Sequence, residues 1–417
     1  MAGLHPPAHS GRGHTASAIA RFLSEGGAPP LHKTTTTMKN DFVFRMPLKV
    51  IFGKGKFDLL PEEVGFFLAK GSVLVVMDPA IKAKIWPRVE KLLAGWKTIP
   101  AEIKPGEPTV QTVDEMANLA RKERPDLVIG IGGGSTMDTA KAIAGLITNP
   151  GSSEKYRGQN LLTRPAIPGI MVPTTAGTGS ELTQTAVLIH QGRKGGINSP
   201  HIIPAAAILD PVLLLDLPAE PTRATGLDAL THAIESFLSK NSTPLTEPIS
   251  LQAATLLVAG LPAAVEDGKD LEARTKTMLG SLLGGIGLAN AGVIVGHSLS
   301  YPLGARYGIS HGVANGLLLP YVAEEILPFA AEKLARLASA FGISRGRAAE
   351  EEAGETIKFL FAFEKKIGFQ KRLADFKVQQ SDFEKMAEEA WAVAVPVANT
   401  PKPMTKEDLL RIYQMAY

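Results

Sequence analysis

The sequence predicts an α/β half followed by an all-α half, with the boundary near Leu215. Three observations carry this expectation. From Lys49 onwards, short apolar runs alternate with helical segments of ten or more residues, the pattern of a parallel sheet covered on both faces. Strand signals stop after Asp210-Pro211, and only helical periodicity follows. At 417 residues the chain exceeds one ordinary core, so domains over 38–214 and 215–417 are expected.

Composition narrows the function classes. Net charge is +3 with basic residues scattered, which argues against nucleic acid or anionic lipid as a partner. The absence of cysteine excludes disulfides, thiolate metal sites and cysteine nucleophiles, so any metal must be held by nitrogen and oxygen. Met278 to Gly296 carries no charge over nineteen residues and approaches membrane-spanning length. It is read as the one run of that kind, and as a buried helix packed through its glycines, with no membrane involved. Residues 1–37 hold four of the nine histidines but no apolar signal core. They are expected to be a disordered leader before a start at Met38, on a cytoplasmic protein.

The elements follow in order. Val50 to Phe52 reads as a strand, Phe57 to Ala69 as a helix, Val73 to Met77 as a buried strand, and Ile81 to Leu93 as a helix. Thr109 to Arg124 is amphipathic, with Val113, Met116, Ala117 and Ala120 at helical spacing. The buried strand Leu127 to Ile131 runs into Gly132-Gly133-Gly134-Ser135, and a helix follows over Thr136 to Ile147. Free amides at that helix start suit a phosphate, although any tight strand-to-helix turn has the same form. The spacing GxGGGSTxD is not the Rossmann GxGxxG, and the best ribose-binding acid, Asp78, precedes the glycines instead of following them. A dinucleotide here requires a Rossmann-like variant of the sheet. Met171 to Glu181 is a second polar loop after an apolar strand, offering the hydroxyls of Thr174, Thr175 and Thr178.

The helical half opens with Gly226 to Ser239, whose buried face is marked by Leu227, Leu230, Ile234 and Leu238. Asp228 and His232, four residues apart, project side by side. Alone they read as a surface pair. Gly296 to Gly312 adds His297 and His311, with glycines and a proline between them that let the segment turn and the rings converge. Asp plus three His is a donor set for Fe²⁺ or Zn²⁺, not for Ca²⁺ or Mg²⁺. Its placement on distant helices favours a catalytic site over a structural one.

The segments GGGSTMDTAKAIA, PTTAGTGSE, TGLDALTHAIES and GHSLSYPLGARYGISHG resemble, in order, the iron-containing (group III) alcohol dehydrogenase family. The resemblance implies a nucleotide-binding α/β domain, a helical metal-binding domain and an active site between them. It implies Asp228, His232, His297 and His311 as ligands of iron, or in some members zinc. It implies Gly133, Gly134 and Ser135 at the cofactor pyrophosphate and Thr174, Thr175 and Thr178 along the nucleotide. It also implies Asp138 near the nicotinamide end as a catalytic residue and Lys194 near the cofactor. An acid at Asp78 resembles the NAD-preferring members over those using NADP. Tyr301 stands where many relatives have a histidine that relays a proton or contacts substrate, which implies it as a second catalytic residue, and it resembles the hydroxyacid-oriented branches. The expected activity is NAD-linked oxidation of an alcohol or reduction of an aldehyde by a homodimer or larger homo-oligomer. A hydroxyacid dehydrogenase or hydroxyacid–oxoacid transhydrogenase, and more remotely a dehydroquinate-synthase-like lyase, are the alternatives.

Overall fold

A computed structural model describes residues 41–104 and 106–417; the expected leader lies outside the described residues. Among these, β1 (Lys49–Phe52), β2 (Ser72–Met77), β3 (Lys97–Glu102), β4 (Leu127–Gly132), β6 (Gly169–Pro173) and β9 (Ala206–Leu209) form one sheet. Its order is β1-β9-β6-β4-β2-β3, and every neighbouring pair is parallel. Helices α1 (Leu60–Phe67), α2 (Pro79–Leu92), α3 (Val110–Glu123) and α4 (Gly134–Thr148) lie between the strands in sequence. Strand β2 shows how both faces are covered. Val73, Val75 and Met77 join Phe57, Leu60 and Val89 in one core, while Leu74 and Val76 join Ala120, Met137 and Ile143 in another.

Two features here were not read from the sequence. Edge strand β3 (KTIPAE) was missed because its charges and Pro100 obscure a strand pattern. The strand-like pattern of Gln184 to Ile189 is β7 (Thr185–His190), but its separate small sheet was not expected: β7 pairs antiparallel with β8 (Arg193–Asn198), which pairs with β5 (Gly158–Gln159).

After β9 the described chain is helical: α5 (Ala219–Leu238), α6 (Thr246–Glu266), α7 (Leu271–Ala291), α8 (Val295–Tyr307), α9 (His311–Ala340), α10 (Ala349–Lys366), α11 (Phe383–Trp391), α12 (Ala394–Asn399) and α13 (Lys406–Ala416). Leu230, Phe237, Leu257, Leu299, Leu318, Leu360 and Tyr413 share one buried core. The expectation of a single helix over Met278 to Gly296 is corrected. The chain breaks at Gly292, whose φ is +70°, and α7 and α8 meet at a bend of 106°. Gly296 to Gly312 is likewise mostly helix, with the reversal confined to the residues after Tyr307, at Gly308 (φ +66°). Nor is the apolar run there the only long one. Helix α6 is also long and apolar enough to cross a membrane, and it packs against both α5 and α7.

Candidate active site

Strands β2, β4 and β6 are neighbours in register, with Val76 opposite Gly130 and Gly130 opposite Met171, so they end at one rim. That rim receives Asp78 from β2, Gly133 to Ser135 from β4 and Thr174 to Thr178 from β6, as open α/β sheets present ligand-binding loops. All six of the expected loop residues line one cleft of about 1100 Å³, together with Asp78, Asp138, Lys194, Tyr301 and the four expected metal residues. Residues as distant in the chain as Asp78 and His311 thus share one cavity.

At the rim, no side chain caps the start of α4, which leaves its first amides for a ligand. Gly134 is required by close approach: a Cβ there would lie 2.6 Å from Thr178 Cγ2, so the two loops pack in contact. Asp78 Oδ1 accepts the Ile81 amide at 2.9 Å and caps α2. Asp138 ties the loops together. It accepts from the Ser180 hydroxyl and, at 2.9 Å, from the Val187 amide, and it faces the buried Lys141 ammonium at 3.1 Å. Lys141 also donates to Ser180 O at 2.8 Å, Thr183 Oγ1 at 3.0 Å and Thr185 O. Burial lowers the Lys141 pKa against the pull of Asp138, and burial raises the neighbouring Glu181 carboxyl to about 7. Lys141 and Glu181 went unnoticed in the sequence, where a lysine three residues after an aspartate reads as a helix surface pair.

The opposite end of the cleft gathers the imidazoles. Helix spacing puts Asp228 beside His232 on α5, with Oδ1 and Nε2 3.9 Å apart. The α7–α8 bend carries His297 onto them: its ring stacks on His232 at 4.9 Å and meets His311 at 5.3 Å between centroids. One donor atom each from Asp228, His297 and His311 lies within 4.8 Å of the others. Each ring is held by its Nδ1. His232 contacts Gly177 O at 3.2 Å, His297 contacts Glu235 Oε2 at 2.8 Å, and His311 contacts Ser300 Oγ at 3.3 Å. Such backing favours the proton on Nδ1 and leaves the lone pair on Nε2. Burial pushes His232 down to about 4 and His311 to about 3, so both stay neutral at pH 7. Burial would raise the Asp228 carboxyl, but the imidazoles and Asn315 together hold it below its usual range. The donor set therefore fits a divalent transition metal: a carboxylate and imidazoles converge at the cleft, with Asp228, His297 and His311 in one group and His232 beside Asp228.

Asn315 and Glu235 complete this end, and neither was anticipated. Asn315 Nδ2 donates to Asp228 Oδ1 at 2.8 Å and lies 3.1 and 3.2 Å from Nε2 of His297 and His311. Their signal was positional: Asn315 is four residues past His311, and Glu235 seven past Asp228, each on the same helix face.

Comparison with known proteins gives two family matches: the iron-containing alcohol dehydrogenase model over residues 47–211, and the C-terminal model of the Fe-containing alcohol dehydrogenase family over 222–417. The chain belongs to the iron-containing alcohol dehydrogenase family. It is 35% identical over 373 residues to long-chain-alcohol dehydrogenase 1 of Geobacillus thermodenitrificans, covering 88% of this chain and 94% of that one. It is 35% identical over 315 residues to the NAD-dependent methanol dehydrogenase of Bacillus methanolicus, covering 74% and 82%. The crystal structure of a 1,3-propanediol oxidoreductase superposes with a TM-score of 0.87 at 32% identity, over 90% of this chain and 100% of that one. As a family member the chain is an oxidoreductase of alcohols and aldehydes.

In this iron-containing alcohol dehydrogenase, Tyr301 lies 5.7 Å from the His311 ring, and burial, then Asp228 and Glu107, raise its hydroxyl to about 12. It is a hydrogen-bond donor across the physiological range and does not exchange a proton there. Lys194, expected near the cofactor, stands over the Tyr301 ring at 5.7 Å and forms an ion pair with Glu107. Loop residue Glu107 was also missed, because nothing in its local sequence points to a distant lysine.

Proposed function

We propose that this chain is an NAD-dependent alcohol dehydrogenase, working in reverse as an aldehyde reductase, with iron held by Asp228, His232, His297 and His311. The observation that carries the reading is one cleft with convergent imidazoles and a carboxylate at one end and phosphate-competent amides at the other. When bound, the metal polarises a hydroxyl or carbonyl oxygen and the nicotinamide exchanges hydride with the substrate carbon. The chain's own groups set the geometry. Gly133, Gly134 and Ser135 bind the pyrophosphate with backbone amides, and Thr174, Thr175 and Thr178 line the nucleotide. Asp78 keeps one oxygen for the ribose hydroxyls while the other caps α2, and its charge repels a 2′-phosphate. Asp138 acts beside the nicotinamide end by holding both loops in place, and Lys194 closes the site next to Tyr301. Tyr301 donates a hydrogen bond to substrate from the wall of the cleft.

The same wall favours neutral alcohols over hydroxyacids. Lys194 is the one cation beside the imidazole end among the described lining residues, and Glu107 already neutralises it. Arg306 and Lys240, the basic residues of the metal-site segments, are not part of the lining, which speaks against a phosphorylated substrate. A homodimer is part of the proposal. Phe42, Val43, Met46 and Leu48 are exposed in the stretch leading into edge strand β1, and such an edge with apolar neighbours is usually covered. The proposal places the enzyme in the cytoplasm.

The test is activity of chelator-stripped protein reloaded separately with Fe²⁺ and Zn²⁺, with NAD and NADP compared. Activity that persists after complete stripping would refute the metal role. Asp78→Ala should narrow the gap between the two cofactors; an unchanged preference removes Asp78 from its role.

A further inference from the structure

Glu235 is fully buried, yet no lysine or arginine pairs with it among the described residues. Its Oε2 accepts from the Ile294 amide at 2.8 Å and from His297 Nδ1 at 2.8 Å, while Oε1 has no partner. The space it occupies is specific. A Cβ on residue 296 would lie 2.1 Å from Oε1, so Gly296 is what lets the carboxylate reach the start of α8. The other two imidazoles are backed by neutral oxygens, the Gly177 carbonyl and the Ser300 hydroxyl. Only His297 has an anion behind it.

A buried carboxylate with one orphan oxygen is unfavourable unless positive charge lies close by. The nearest place for such charge is in front of His297, where the Nε2 atoms converge. We propose that Glu235 is a positioning and charge-balancing residue for the divalent ion, and that it never ligates the metal. It fixes His297 with the proton on Nδ1 and the lone pair of Nε2 directed into the site. Together with Asp228 it supplies two negative charges for two positive ones, so the loaded site is neutral although only one carboxylate touches the metal. This inference rests on the metal-site reading above.

The charge role separates Glu235 from a merely structural buried residue. Glu235→Gln keeps an oxygen for both donors and removes the charge; Glu235→Ala removes both. Full-length protein is stripped with chelator, and Zn²⁺ affinity is measured by competition with a chromophoric chelator. Cobalt(II) visible absorption reports ligand geometry, and urea unfolding reports metal-free stability. Glu235→Gln is expected to weaken Zn²⁺ binding 10- to 100-fold, with the Co²⁺ spectrum kept and metal-free stability equal to or above wild type. Glu235→Ala is expected to weaken binding further and to alter the Co²⁺ spectrum. Zn²⁺ binding by Glu235→Gln within twofold of wild type overturns the proposal, as does a loss of metal-free stability in that variant. Wild-type protein that fails to bind Zn²⁺ or Co²⁺ overturns the metal-site reading itself, and this inference with it.

Discussion

The tie between the glycine loop after β4 and the threonine loop after β6 should be energetically coupled, and Asp138→Asn tests this. Lys141 is almost completely inaccessible, and Asp138 is 13% exposed at the cleft wall. Removing one charge of a buried pair generally destabilises by about 3–5 kcal/mol, because the other charge is left uncompensated. Here Lys141 keeps three oxygen acceptors, Ser180 O, Thr183 Oγ1 and Thr185 O, so the lower end, roughly 3 kcal/mol, is expected. Asparagine also has one acceptor where the carboxylate has two, so with Oδ1 kept for the Val187 amide the Ser180 hydroxyl must turn to accept from Nδ2. Lys141→Met removes the other charge. The double variant should recover at least about 1.5 kcal/mol of the summed single losses, the coupling expected of groups in one network. Urea unfolding followed by tryptophan fluorescence gives the stabilities, and NADH fluorescence titration should give weaker cofactor binding for both single variants. Single losses under about 1 kcal/mol that simply add in the double variant would refute the reasoning.

Three further outcomes follow from the same geometry. Metal-free protein should lose stability on acidification below pH 6.5. His232 and His311 titrate near 4 and 3 in the fold against about 6.5 unfolded, while Glu181, raised to about 7, works in the opposite direction down to its unfolded value near 4.5. The net is about one proton from roughly pH 6 to 4, or about 1.4 kcal/mol per pH unit, and it shrinks below pH 4 as His232 and then His311 take up their protons in the fold; a flat profile by urea unfolding contradicts it. Tyr301→His should add an inflection between about pH 6 and 8 to the profile of kcat/KM, which wild type lacks because its tyrosine titrates near 12. Identical profiles would mean that residue 301 does not face the reacting groups. Gly179→Ala should destabilise by about 2 kcal/mol or more, since φ is +61° and the new Cβ would lie 2.5 Å from Gly285 Cα. An unchanged thermal midpoint would show that loop and α7 are not in such contact.

Much of this site was legible because it depends on local periodicity. Asp228 and His232 adjoin through helix spacing alone, and the glycine loop announces itself by following a buried strand. The groups that were missed hold the site through contacts distant in sequence. Glu107 meets Lys194 across 87 residues and Glu235 meets His297 across 62, and no local pattern encodes either. The α7–α8 bend was hidden for a related reason. A glycine-rich apolar run is equally compatible with one helix or two, and the direction is decided by what covers the freed amides. Here Ile294 finds Glu235 and Val295 finds Thr400.

By itself the sequence determined the alternation of strands and helices, the change to an all-helical half and the types of donor atom available. Those follow from hydrophobic period and side-chain chemistry, which each residue carries with it. Only the tertiary structure decided that β2, β4 and β6 end at one rim and that His297 reaches Asp228. It also decided that one imidazole in three is backed by an anion. Those are matters of packing, in which a bend of 106° and the missing Cβ of Gly296 place groups that chain order keeps apart.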